Sequence, residues 1–205
     1  MNEIVILRII YFRKEVIFMA KKVLLYSGGM DSWLIDKLWK PDVKLFIDIG
    51  TDNNKEEFKR LPSDVIVKKI ELSDFEDKDN NFLLPLRNLF FVEMASYYGD
   101  EICLGATGSS THYDKNQTFI DKSEDIINYL YSEAYDKKIK IVMPFRNYSK
   151  SDMLRMYIEQ GGSAKRAWDE TFSCYQPING QMCGECSSCK KKIMAFKENG
   201  FDFTK

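Results

Sequence analysis

The sequence predicts an α/β fold: an open, doubly wound, five-stranded parallel sheet with a small metal-binding knuckle near the C-terminal end. Three observations predict it. Short apolar segments alternate with helix-like segments along the chain, the order that a parallel sheet with crossover helices requires. The apolar segments are rich in Val, Ile and Leu with little polar alternation, as in strands covered on both faces. A Ser-Gly-Gly stretch ends the first strand and opens into a helix, at the carboxyl edge where such sheets bind ligands.

In order, residues 22–26 read as the first strand, with a helix at 31–39. The second strand is expected at 43–48, a helix at 54–60 and the third strand at 65–70. The charged stretch 71–81, ELSDFEDKDNN, reads as an exposed loop. A helix at 86–98 leads to a strand at 101–106, and a helix at 121–134 to the last strand at 139–143. Ser149 with Asp152 starts a helix over 149–160, because a side-chain pair at this spacing caps the first N–H groups. Gly161-Gly162 ends that helix, and a final helix spans 187–198. No internal repeat or low-complexity tract is present.

Residues 1–18 read as an N-terminal extension. Their apolar stretch is short and broken by Arg8, Arg13, Lys14 and Glu15, and no small-residue cleavage site follows, so they make a poor signal peptide. Ile4-Val5-Ile6-Leu7 is alternatively an added edge strand. Residues 19–205 are long enough for one domain with a full core. Thirty Lys+Arg against 31 Asp+Glu give a net charge of −1, which argues against a general nucleic-acid binder. It suits an enzyme of small molecules. Lys190-Lys191-Lys192 reads as a solvated helix face. No apolar run is long enough to cross a membrane, and a cytoplasmic chain without membrane partners is expected.

Ser27-Gly28-Gly29-Met30-Asp31-Ser32 is the strongest chemical signal. Glycines let successive backbone N–H groups converge on one anion. The following helix adds unpaired donors and a partial positive charge. The two serine hydroxyls can donate further bonds, and Asp31 can hold a magnesium ion or a substrate amine. The stretch therefore reads as a phosphate cradle, the plain alternative being a glycine turn before a helix that Asp31 caps.

Cys174, Cys183, Cys186 and Cys189 are the second signal. Four thiolates at short spacing around Gly184, Ser187 and Ser188 suit a tetrahedral Zn²⁺ with no open position, a structural site. Disulfides do not suit a reducing compartment; an iron–sulfur cluster is the alternative ligand. The zinc-binding subregion spans 172–200.

The hexapeptide resembles the pyrophosphatase loop of the ATP-pyrophosphatase enzymes, the adenine nucleotide alpha hydrolase-like group. Together with Phe172-Ser173-Cys174-Tyr175 and the cysteines that follow, the chain resembles the 7-cyano-7-deazaguanine synthase family. Pro85-Leu86-Arg87-Asn88, Tyr113-Asp114 with Phe119-Ile120, Pro144 with Ser149-Lys150-Ser151-Asp152-Met153, and Gly200-Phe201-Asp202 match weaker family landmarks in the same order. Family members begin shortly before their first strand, so Met19-Ala20-Lys21-Lys22 reads as a natural start. Two departures stand out. Ile49-Gly50-Thr51-Asp52-Asn53 lacks the Gln and His of the family's Tyr-Gly-Gln-x-His, and Asn116 stands where the family has arginine. A diverged relative, such as a phage or defence-system enzyme acting in its host's cytoplasm, fits them.

The resemblance implies an ATP-dependent ligase that adenylates 7-carboxy-7-deazaguanine and aminates it with ammonia to amide and then nitrile. It implies ATP, Mg²⁺ and structural Zn²⁺ as cofactors, with the deazaguanine acid and ammonia as small-molecule partners. It leaves room for a homodimer. It makes Asp31, Ser32, Arg87 and Lys150 the catalytic candidates. ATP binding is expected at Ser27, Gly28, Gly29, Asp31, Ser32, Asn88, Gly105 and Thr107. An arginine fork at Arg87 suits a phosphate or carboxylate, Lys150 suits charge on leaving pyrophosphate, and small residues at 105–108 let a nucleotide approach. Each also has a plain reading: a surface arginine, a solvated lysine and a strand-to-helix turn. Asp114 is the substrate candidate, since a carboxylate accepts a guanine-like N1–H and amine together. His112 is read as an exposed loop residue and Cys103 as a buried, inert thiol. Trp168 and Phe172 read as core packing near the knuckle, or as cover for a stacked base. The alternatives are a tRNA thiolase or lysidine-synthetase type, an amide-only deazaguanine enzyme, and a non-catalytic nucleotide-binding zinc module. A thiolase needs a reactive cysteine near the loop, and only Cys103 is on offer.

Overall fold

A computed structural model describes residues 20–77, 84–108, 113–174 and 176–204. Strands β1 (Lys22–Leu25), β2 (Val43–Asp48), β3 (Val65–Lys69), β4 (Glu101–Cys103) and β5 (Lys140–Val142) form one sheet in the order β3-β2-β1-β4-β5. Every neighbouring pair is parallel. The chain winds outward from β1 to β3, then returns to place β4 on the other side of β1. The crevice between the carboxyl ends of β1 and β4 is therefore the switch point at which such sheets bind ligands.

The helices are α1 (Met30–Trp39), α2 (Asp52–Phe58), α3 (Arg87–Ser96), α4 (Gln117–Ser132), α5 (Lys150–Glu159), α6 (Ala164–Asp169) and α7 (Ser187–Glu198). Local chemistry sets where they differ from the expected spans. The helix expected from 121 starts at 117, because the Asn116 side chain accepts the Phe119 N–H at 2.9 Å. Thr51 likewise caps α2 through Asn54. The expected capping box of Ser149 and Asp152 is formed, and Gly161, at φ +86°, closes the turn after α5. Helix α6 was not foreseen; Ser163 caps it immediately after the glycine pair. The fourth strand stops at Cys103 rather than 106, since Ala106 N–H turns back to Leu104 O at 2.7 Å. In the charged stretch expected as a loop, described here to residue 77, Ser73–Phe75 form a 3-10 turn.

Side chains alternate across the sheet. Leu24, Tyr26, Phe46 and Cys103 pack against α1, α5, α6 and α7 through Met30, Trp33, Leu154 and Phe196. Val23, Leu45, Ile47 and Ile102 pack on the other face against Val92 of α3 and Ile127 of α4. Both faces are thus covered, which explains the near-continuous apolar strands. Among the described residues no helix is long and apolar enough to cross a membrane. The proposed extension, the alternative strand at Ile4–Leu7 and the Met19 start lie outside the described residues.

Candidate active site and metal centre

The loop after β1 leaves the sheet through Gly28, whose φ of +77° is a left-handed conformation natural to glycine. Gly29 is the N-cap of α1 and brings no side-chain cap of its own. The two serines knit the loop. Ser27 N–H donates to Ser32 Oγ at 3.2 Å, and Ser32 Oγ donates to Gly29 O at 3.1 Å. Gly29 N–H donates to Ser27 Oγ at 3.3 Å. A second segment braces the loop from outside: Phe172 N–H donates to Gly28 O at 3.3 Å, and Met30 N–H to Ser173 Oγ at 3.1 Å. The N–H groups of Gly29 and Met30, at the start of α1, are thus each held by a serine hydroxyl.

Asp31 on the first turn of α1 is ion-paired through Oδ2 with Lys150 Nζ, at the first turn of α5. Its Oδ1 is buried with no hydrogen-bond partner. The Arg87 Nε, at the start of α3, is likewise buried and unpartnered. Arg87 follows Leu86, which takes a left-handed φ of +62°, a conformation costing an L-residue roughly 1–2 kcal/mol. Asn88 Nδ2 donates to Asp114 Oδ2 at 2.8 Å and to Asp114 O at 3.2 Å. The structure thus joins Asp31 to Lys150 and Asn88 to Asp114. Gly105 lies against β1, where an added Cβ would meet Leu25 O at 3.7 Å. The loop carrying Thr107 is tied back by Gly108 N–H to Tyr148 O at 2.9 Å. His112 lies outside the described residues.

Three groups went unnoticed in the sequence. Lys115 is partly buried beside Asp114; burial first, and then Arg87, hold its ammonium below the usual lysine range. Glu57 accepts from Asn54 Nδ2 at 3.2 Å and feels Arg87; burial outweighs both and pushes its carboxyl up to about 7. Ser173 is the third, through its bond to the loop. Adjacency to Asp114 was the only mark on Lys115, and Ser173 stood in the Phe172-Ser173-Cys174-Tyr175 landmark without a role of its own.

Cys174, Cys183, Cys186 and Cys189 present sulfurs that all lie within 4.8 Å of one another. Four thiolates at about 2.3 Å from one zinc stand roughly 3.8 Å apart, and the Cys183–Cys189 sulfurs are 3.9 Å apart. The donor set fits one tetrahedral ion and is too tight to bracket a multi-atom cluster. All four are free thiols. Backbone N–H groups of Cys183, Cys186 and Cys189 point at the sulfurs of Cys174, Cys183 and Cys186, at 3.3, 3.3 and 3.5 Å. Such bonds favour the thiolate form that a metal needs.

Two aromatic expectations and one charge expectation meet particular outcomes. Trp168 packs edge-on to Phe196 at 5.1 Å, while Phe172 lies under the Arg60 guanidinium, 3.7 Å from its ring centroid. Lys190 and Lys191 are exposed, but Lys192 is not part of a solvated face: it is 1% exposed. It sits at helical spacing from buried Cys189, Ala195 and Phe196, and Nζ donates to Trp168 O at 2.8 Å and Thr171 O at 2.6 Å. Burial lowers its pKa to about 8. Cys103 is fully buried, and burial pushes its thiol far up.

A family model described as "Queuosine biosynthesis protein QueC" matches residues 57–200. The 7-cyano-7-deazaguanine synthase of Clostridium kluyveri is 26% identical over 223 residues, covering 89% of this chain and 96% of its own length. That of Persephonella marina is 28% identical over 217 residues, covering 88% and 93%. That of Campylobacter curvus is 28% identical over 202 residues, covering 93% and 82%. A solved structure described as a predicted subunit of tRNA methyltransferase from Methanocaldococcus jannaschii aligns at 14% identity and TM-score 0.43, covering 77% of this chain and 99% of that one.

Proposed function

The chain belongs to the queuosine biosynthesis protein QueC family, of ATP-dependent ligase type, and from that premise we propose that it converts 7-carboxy-7-deazaguanine to the amide and then to the nitrile. The observation that carries the reading is the loop after β1: a left-handed Gly28, a hydroxyl-filled helix start, and Asp31 paired with Lys150 but leaving Oδ1 buried and unpartnered. A buried carboxylate oxygen without a partner is costly unless a ligand completes it.

In the first half-reaction the substrate carboxylate oxygen bonds to the α-phosphorus of ATP. The bond from that phosphorus to the bridging oxygen breaks, and pyrophosphate leaves with the electron pair. Residues 27–32 and the α1 N-terminus hold the leaving group, and Lys150 offsets its charge. Magnesium, held at Asp31, supplies further charge compensation when bound. Ammonia then adds to the acyl carbon, loses a proton, and AMP departs to leave the amide. In the second round the amide oxygen bonds to the α-phosphorus of a second ATP and pyrophosphate leaves; the nitrogen then loses both its protons as the C–O bond breaks and AMP departs with the electron pair, giving the nitrile. Asp114 receives the N1–H and amine of the base, and the Asn88 amide holds the carboxylate in that orientation. Gly105 and Thr107 line the approach of the nucleotide. Positioning and charge stabilisation supply most of the rate in such chemistry. The zinc centre, closed by four thiolates, holds structure rather than substrate. Sulfur carriage is not supported, since Cys103 is sealed in the core.

The test is product analysis with 7-carboxy-7-deazaguanine, ATP and ammonium. AMP and pyrophosphate should form with the amide or nitrile, resolved by mass. Asp31→Ala and Ser32→Ala should abolish AMP formation while the chain stays folded. Wild-type AMP production by either variant would sink the reading.

A further inference from the structure

Lys115 closes the 3-10 turn Tyr113–Lys115, one residue after the Asp114 carboxylate that Asn88 holds at 2.8 Å. Its successor, Asn116, spends its side chain capping α4. Lys115 is partly buried, and the charges that reach it are Arg87, Asp114, Asp31 and Lys150. The Asn88–Asp114 bond sets this turn against the start of α3, so that Lys115 and Arg87 each adjoin one partner of the bonded pair. Of the carboxylates present, Asp31 is ion-paired with Lys150, and Asp114, bonded to the neutral Asn88 amide, keeps its charge beside Lys115. Glu57, within reach of Arg87, is bonded to Asn54. Among the described residues, neither Lys115 nor Arg87 has a carboxylate of its own, and Arg87 Nε is buried without any partner. Like charges gathered in a partly desolvated space repel unless an anion joins them.

We propose that Lys115 is a catalytic cation which, with Arg87, binds the anionic oxygens where the substrate carboxylate meets the α-phosphate of ATP. This rests on the adenylation reading above. Lys115 makes and breaks no bond and keeps its proton. It offsets charge on the non-bridging oxygens while the carboxylate-to-phosphorus bond forms and the bond to the bridging oxygen breaks. Fixed cations aimed at developing charge act most strongly where water is excluded.

The experiment compares Lys115→Met, Lys115→Arg and the capping control Asn116→Ala, each as the zinc-loaded full chain. For Lys115→Met, kcat/KM for AMP formation should fall by roughly 10²–10³, the loss seen when one preorganised donor is removed. Lys115→Arg should recover most of that loss. The melting temperature of Lys115→Met should stay level or rise, because a cation is removed from a cluster of cations. Asn116→Ala should melt lower, with activity per folded molecule unchanged. Lys115→Met turning over within twofold of wild type, or melting below it, would overturn the proposal in favour of an idle or merely structural lysine. If wild type forms no AMP from the deazaguanine acid, the adenylation reading falls first. Calorimetric binding of magnesium pyrophosphate then decides on Lys115: a roughly tenfold weakening in Lys115→Met retains the anion-binding role, and equal binding removes it.

Discussion

Replacing Ser173 by alanine should loosen the phosphate loop without emptying the cysteine cluster. Ser173 is buried, and among the described residues its Oγ is the only acceptor given to Met30 N–H, at 3.1 Å. Met30 is fully buried and Gly29 offers no side chain to replace the lost oxygen. Leaving a buried donor unsatisfied costs about 1–3 kcal/mol, in line with the ~1 kcal/mol typical of a lost helix cap. For a chain of this size each kcal/mol lowers the melting temperature by about 2–4 °C. The zinc-loaded variant should therefore melt roughly 2–12 °C lower, with metal content unchanged by elemental analysis. If the loop must be re-ordered to bind ATP, half-saturation should rise about fivefold per kcal/mol lost. Ser173→Thr, which keeps the hydroxyl, should recover most of both effects. A Ser173→Ala protein that melts within a degree of wild type and binds ATP normally would refute the brace between the two segments.

Serine at Cys174, Cys183, Cys186 or Cys189 should lower zinc content and unfold or aggregate the chain, because binding free energy at such a site is folding free energy; wild-type protein without zinc, or with an iron–sulfur absorption band, would contradict the assignment. The Glu57 carboxyl, pushed up to about 7 in the folded chain, holds its proton more tightly there than when unfolded. Its stabilising contribution is complete below its unfolded value near about 4.3 and is lost as pH rises through about 7, by no more than about 4 kcal/mol. Glu57→Gln should flatten that part of the stability–pH curve and be the more stable protein at pH 8. Urea unfolding at several pH values checks it, and an unchanged slope would reject a half-buried, protonated Glu57.

Alternation and apolar strands identify the sheet in the sequence because both are properties of single segments. The order β3-β2-β1-β4-β5 is not such a property; it follows from which helix covers which face. Caps were legible where the pair is close in sequence, as for Ser149 and Asp152, and illegible where a brief helix such as α6 follows two glycines that read as a stop. Lys192 is the instructive error. Three consecutive lysines look solvated, yet Lys192 falls three residues from Cys189 and from Ala195, on the inner face of α7. Helical spacing carried that signal, and composition masked it. The loop and the cysteines are local patterns and stood out. Lys115, Glu57 and Ser173 reach the site only because separate elements fold together, and no short-range pattern marks that.

The loop after β1 and the four-cysteine cluster form one mechanical unit, and the segment between α6 and the cysteines explains why. Residues 171–174 are irregular yet largely buried, with Thr171 and Ser173 among the buried polar residues. Buried irregular backbone needs partners for its N–H and C=O groups. On one side Lys192 Nζ binds Thr171 O, Cys189 Sγ approaches Ser173 O at 3.4 Å, and Cys174 is itself a ligand candidate. On the other side Phe172 N–H and Ser173 Oγ bind the loop at Gly28 and Met30. The same four residues are thus held by the knuckle and in turn hold the start of α1. A closed four-thiolate site has no chemistry to offer a substrate. What it offers through this segment is order at the loop, so on the adenylation reading proposed above removal of zinc should weaken ATP binding as well as lower the melting temperature.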